Sequence, residues 1–179
     1  MKETITTALF TERMKEEYRE EMLSMMERSD DEFVPPLSSR ASTTDRSFSD
    51  KEESSVLPYF ESMMKQEIIG AFRKDTLLAY LSYKKDYEIE SLTEKGKPNL
   101  YLSTLISKPE ERGQRLGERL FTALFTEFYP DRDAYSRTWS TNDAEIHIFA
   151  KVGFKEVKRL KGDRGRSVDT IYYKRSAAR

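Results

Sequence analysis

The chain has 179 residues, with 31 Lys and Arg against 32 Asp and Glu, so a net charge of -1 gives no field to draw it to nucleic acid or an anionic membrane. Absence of cysteine excludes disulfides, thiolate metal sites and a cysteine nucleophile, and the one histidine, His147, is too few for a multi-histidine metal centre. No apolar stretch approaches the roughly 20 residues of a membrane span and no hydrophobic leader opens the chain, so the cytoplasm is the expected compartment.

In chain order, residues 2–28 lack Gly and Pro, and Ile5, Leu9, Met14, Tyr18, Met22 and Met25 recur at helical spacing. This predicts one long acidic helix with an apolar, Met-rich stripe packed on the body of the protein, stopped by Asp30-Asp31 and Pro35-Pro36. Residues 37–55, rich in Ser and Thr, read as a mobile loop, and residues 50–64 as a helix that Pro58 either kinks or begins. Residues 67–73 and 76–83 are apolar and aromatic and read as strands joined by the turn Lys74-Asp75. The charged segment 84–97 is a strand extension or a hairpin loop. Residues 100–107 form the next strand, and Leu116, Leu120, Ala123, Leu124 and Phe128 mark one face of a helix that Pro130 ends. A strand over 133–140 precedes a helix capped by Asn142 or Asp143 and stopped by Gly153. Strands over 154–160 and 168–174 flank the basic turn 161–166. The whole, residues 1–179, reads as one mixed α/β domain: a helical part over 1–64, then a core over 65–175.

The turn Arg112-Gly113-Gln114-Arg115-Leu116-Gly117 links a strand to a helix N-terminus, where unpaired N–H groups and the helix dipole attract phosphate. About 25 residues later comes Asn142-Asp143-Ala144-Glu145-Ile146-His147-Ile148-Phe149-Ala150-Lys151-Val152-Gly153-Phe154. In this order, the two segments resemble the pyrophosphate loop and the later Asn-to-aromatic, Gly-Phe signature of the GNAT superfamily of acetyl-CoA-dependent N-acyltransferases. The resemblance spans about residues 66–174 and implies that family's mixed sheet, with acetyl-CoA as co-substrate and no metal. It implies that the backbone of Leu105, Ile106 and Ser107 pairs with pantetheine as a strand would. The pyrophosphate would rest on Arg112, Gly113, Gln114, Arg115, Leu116, Gly117 and Glu118, with Asn142, Phe149 and Lys151 touching the pantetheine and adenosine ends. Asn142 reads equally as a plain helix cap.

Two positions depart from the family's pattern. Arg115 stands where similar proteins carry Gly; its N–H survives, and the phosphate nest is expected to persist with Arg115 at negative φ. Phe149 stands where similar enzymes carry a Tyr whose hydroxyl protonates the departing thiolate. A free thiol has a pKa near 8.5, so water or a neighbour such as His147, Tyr135 or Ser107 is left to supply that proton. No carboxylate lies within residues 100–107 to act as base; Glu88 and Glu90 are the nearest by topology, and a solvated loop is the plainer reading of both. Arg137 and Trp139 alternate with Tyr135 along one strand as core packing or as an acceptor channel, and the tip carrying Arg159, Lys161, Arg164 and Arg166 reads as a solvated hairpin. The segment from Phe33 to Arg40 reads as a lid or substrate clamp.

The resemblance therefore implies an N-acetyltransferase that moves an acetyl group directly to a primary amine, on a small molecule or a protein N-terminus. The competing reading is a CoA-binding regulatory or interaction module whose catalysis has decayed. No nucleic-acid or membrane partner is expected, and the family implies a homodimer.

Overall fold

The computed structural model describes residues 3–44 and 55–178. Its strands are β1 (Ile5–Leu9), β2 (Glu67–Arg73), β3 (Thr76–Lys85), β4 (Asn99–Ser107), β5 (Asp133–Trp139), β6 (Lys155–Leu160) and β7 (Thr170–Arg175). Its helices are α1 (Glu12–Glu17), α2 (Arg19–Ser29), α3 (Leu57–Met64), α4 (Leu116–Ala123) and α5 (Asp143–Lys151), and α4 runs on into a π-helical turn over Leu124–Phe128. The strands form one seven-stranded sheet in the order β1-β2-β3-β4-β5-β7-β6, antiparallel except where β4 meets β5.

The sheet separates two apolar layers. On one face α4 and α5 press Leu120, Phe121 and Phe149 against Ile69, Leu81, Leu100 and Leu102. On the other, Met22, Met25, Met26, Tyr59, Phe60 and Met63 of α2 and α3 cover Ile68, Tyr80 and Ile106. Burial of these side chains, at roughly 25 cal/mol per Å², sets which face each helix presents.

The long N-terminal helix gives way to a strand and two short helices. Ile5-Thr6-Thr7-Ala8-Leu9 carries β-branched residues, and β2 offers it a free edge, with Ile5 opposite Arg73 and Leu9 opposite Ile69. Helix begins only where Thr11 caps α1, its hydroxyl accepting from Met14 N at 3.2 Å. Local periodicity could not register the pairing strand 60 residues away.

The predicted loop over residues 37–55 is ordered in its first part. Leu37–Ser39 makes a 3₁₀ turn with Leu37 fully buried, and Asp30 Oδ1 accepts from Ser38 N at 2.7 Å. Residues 45–54 lie outside the described residues, as does the start of the predicted helix 50–64. That helix runs from Leu57, with Pro58 in its first turn, where a missing N–H costs nothing. β3 continues to Lys85, and Glu88 and Glu90 stand exposed on the loop beyond it.

Candidate functional site

β4 and β5 begin as neighbours and then part. Asn99 to Leu102 pair with Asp133 to Ser136, and the ladder stops there. Beyond a bulge at Ser103, residues 104–107 stay paired with β3 alone, while Arg137, Thr138 and Trp139 stay paired with β7 alone. The wedge between them opens into a cavity of about 420 Å³. Ser103, Leu105, Ile106 and Ser107 line it from β4, and Arg137 and Trp139 line it from β5.

At one end stands the turn into α4. Gly113 has φ +83°, and Arg115 sits in the left-handed region at φ +56°, ψ +37°. The expectation of negative φ at Arg115 is therefore corrected: a left-handed residue followed by the right-handed start of a helix is itself a nest-forming pair of amides. The first intrahelical bond is Arg119 N to Arg115 O at 3.0 Å, so the amides of Leu116, Gly117 and Glu118 precede it. Gly117 packs closely: a Cβ there would lie 2.9 Å from Leu105 Cδ2 and 3.0 Å from Ile148 Cδ1, and those side-chain ends would have to shift to admit it. The turn is braced by Arg112, which binds both Glu32 oxygens at 2.7 Å, and by Arg73, which binds both Glu111 oxygens at 2.9 Å.

Of the residues singled out in the sequence, Leu105, Ile106, Ser107, Arg112, Gly113, Arg115, Leu116, Gly117 and Asn142 line the cavity. Gln114 turns away to accept from Arg73 Nη2 at 2.8 Å, and Glu118 faces a separate shallow groove and lies 3.6 Å from Lys151. Phe149 is fully buried among Phe121, Phe154 and Tyr173 and does not reach the cavity. His147 is exposed on α5, and Tyr135 donates to Leu92 O at 3.2 Å.

The titratable group that the sequence did not single out is Glu145. It lines the cavity from the first turn of α5, where Asn142 Nδ2 donates to its Oε2 at 2.9 Å. Burial raises its carboxyl to about 7, against the lowering pull of the Thr138 hydroxyl and the Arg164 guanidinium. The signal was its spacing: an acid three residues after an Asn cap is a capping-box pattern, which places the side chain at the helix mouth. Arg164 was equally hidden. It leaves the β6–β7 hairpin to become 3% exposed against the cavity, its Nε donating to Thr170 Oγ1 at 3.0 Å. Phe33 and Arg40 line the same space, and the Phe33 ring tilts against Trp139 with centroids 5.5 Å apart.

The residues at the wedge and turn fit a long, phosphorylated thioester. The edge of β4 facing the wedge is left without a partner strand over residues 103–107, and Ser103 Oγ is buried there with no hydrogen-bond partner among the described residues. The turn adds oriented amides and Arg115. Among the described residues no group of three or more His, Asp or Glu side chains could hold a metal ion, and no helix is long and apolar enough to cross a membrane.

The family model described as the acetyltransferase (GNAT) family matches residues 13–154. No curated protein sequence matches the chain. Among solved structures, an N-acetyltransferase from Staphylococcus aureus Mu50 is similar with TM-score 0.66 at 12% identity, over 97% of this chain and 98% of that one. The structure of yncA from Salmonella typhimurium with its cofactor acetyl-CoA gives 0.64 at 11% identity, over 97% and 94%. A ribosomal-protein-alanine N-acetyltransferase from Brucella melitensis gives 0.63 at 16%, over 96% and 99%. At these identities the likeness is one of fold.

Proposed function

This chain belongs to the acetyltransferase (GNAT) family, and from that premise we propose that it transfers the acetyl group of acetyl-CoA to a primary amine. The observation that carries the reading is one cavity holding an open strand edge, a helix N-terminus and a carboxyl that titrates near neutrality. Acetyl-CoA, when bound, supplies the acetyl group as an activated thioester. The amides at the start of α4 and the Arg115 guanidinium hold its diphosphate, and the exposed backbone of Leu105, Ile106 and Ser107 aligns its amide-containing arm. Phe149 supports the site from the core.

Glu145 is the base of this proposal. An alkylammonium has a pKa near 10.4 and an α-ammonium one near 7.7, so the amine must lose a proton before it can attack. A carboxyl at about 7 accepts that proton at neutral pH. As the C–S bond breaks, protonated Glu145 gives its proton to the departing thiolate, which Phe149 cannot do, and the surplus proton left on the nitrogen after attack passes to solvent. With no cysteine in the chain, a covalent acyl-cysteine is excluded, and the reading is direct attack with both substrates held together.

Calorimetric titration with acetyl-CoA, followed by amine-dependent release of free thiol over a panel of primary amines, tests this. The expected result is binding together with thiol release that Glu145→Gln slows by at least about 10²-fold while leaving binding intact. Binding with no thiol release for any amine would leave a CoA-binding module in the enzyme's place.

A further inference from the structure

We propose that the acceptor is a small amine bearing a negatively charged group, a carboxylate or a phosphonate, held by Arg137 and Arg164 beside the aromatic wall of Trp139 and Phe33. This rests on the amine acetylation proposed above and names the class of amine.

Three arginines from three distant segments line one cavity. Arg40 follows α2, Arg137 lies on β5 beyond its pairing with β4, and Arg164 comes from the β6–β7 hairpin. Their fields overlap, since burial and then the charges of Arg40 and Arg137 bring the Arg164 guanidinium down to about 10. Partial burial of like charges is costly unless something compensates them. Arg164 donates to Thr170 Oγ1 and the Val34 carbonyl and lies over the face of Trp139; Asp163 acts on it from behind Thr170, accepting from that hydroxyl at 2.7 Å. Among the described residues Arg137 Nη2 donates to the Thr43 carbonyl, at a long 3.4 Å, and the Tyr172 hydroxyl lies beside the guanidinium. Among the described residues neither Arg137 nor Arg164 forms an ion pair.

Among the described residues the acids lining the cavity do not pair with Arg137 or Arg164. Glu32 is taken by Arg112 and Glu111 by Arg73, which leaves Glu145, itself titrating at about 7. A guanidinium is a planar fork of donors that matches carboxylate and phosphonate oxygens.

The diphosphate of acetyl-CoA does not account for this charge. Arg137 and Trp139 point to the sheet face covered by α2 and α3, where they meet Thr43 and Phe33. Thr138 between them points the other way, its Oγ1 accepting from Asn142 Nδ2 at 2.9 Å on the α5 side. The diphosphate turn is at the head of α4, on that second face. Arginine charge and aromatic wall therefore lie across the wedge from the cofactor's phosphates, where an acceptor would meet the thioester.

The test compares matched acceptors by thiol release. Alanine, methionine, phenylalanine and glutamate are set against their α-carboxamides, and 2-aminoethylphosphonate against ethanolamine, with wild type, Arg137→Gln and Arg137→Lys. We expect the best anionic acceptor to show a KM at least about tenfold below its neutral partner, as one charge-assisted pair would give. Arg137→Gln raises the anionic KM by a similar factor, leaves the neutral one and the acetyl-CoA Kd unchanged, and Arg137→Lys recovers part of the loss. The carboxylate and phosphonate arms decide which anion is read. Neutral amines used as well as anionic ones, or Arg137→Gln raising both KM values alike, would overturn the inference. If acetyl-CoA binds but no amine is acetylated, amine transfer itself fails. Calorimetry of the same amines on the CoA-loaded protein then decides the subsite: binding of anionic members lost in Arg137→Gln supports it, and no binding ends it.

Discussion

Asn142 and Glu145 hold each other at the mouth of α5: Glu145 N donates to Asn142 Oδ1 at 3.4 Å, and Asn142 Nδ2 donates to Glu145 Oε2 at 2.9 Å. A carboxylate in the first turn of a helix is ordinarily favoured in its charged form. Here the carboxyl is nevertheless raised to about 7, because burial in the wedge outweighs the Thr138 hydroxyl and the Arg164 charge.

The pH dependence follows. Because the base form of Glu145 is the active one, kcat/KM rises with pH through an apparent pKa near 7. Glu145→Gln removes this limb and lowers kcat by roughly 10²- to 10⁴-fold, the usual worth of a positioned base. A pH–rate profile checks it; an unchanged limb in the variant removes Glu145 from the role.

Stability carries the opposite sign. An unfolded glutamate loses its proton near 4.5, whereas folded Glu145 keeps it to about 7. Its contribution is therefore fully present below 4.5 and lost as pH rises through 7. Urea midpoints between about pH 5 and about pH 8 should fall more steeply in wild type than in Glu145→Gln.

Phe149→Tyr does not restore a proton donor. The Phe149 ring is fully buried, with centroids 4.9 Å from both Phe154 and Tyr173. A hydroxyl added there is buried in a cluster of aromatic rings, so the variant should lose about 1–3 kcal/mol of stability with no gain in kcat. Chemical denaturation and steady-state kinetics on one preparation measure both.

Arg115→Gly separates strain from binding. Arg115 holds φ +56°, which costs a side chain roughly 1 kcal/mol and glycine nothing. The melting temperature should hold or rise, while loss of the guanidinium weakens acetyl-CoA binding by up to about tenfold. Calorimetry reading an unchanged Kd would show that Arg115 contributes only its backbone.

Lys15 pins α1 to the end of α3. Its Nζ, nearly buried, donates to Gln66 O at 2.7 Å and Met64 O at 3.2 Å, and pairs with Glu12 at 2.9 Å. Lys15→Met keeps the stem but leaves those carbonyls without a donor, a loss of about 2–3 kcal/mol. Urea unfolding checks the value, and catalysis should be unaffected below the melting transition.

By itself the sequence determined what depends on neighbours along the chain. The strands from residue 67 onward, the helix ended by Pro130 and the cap at Asn142 follow from period, capping chemistry and turn residues, and the match of motifs assigned the family. Tertiary structure decided whatever depends on distant segments. Residues 5–9 became a strand because β2 offered an edge, although their apolar spacing extends a helical pattern. Arg164 reads locally as a solvated turn residue, yet its side chain turns inward to Val34 and Thr170. Glu145 is not singled out by the sequence, and only the closing of β5, α5 and the hairpin around it desolvates it enough to raise its pKa. Desolvation is a property of what surrounds a group, and those surroundings are assembled from segments that no local pattern relates.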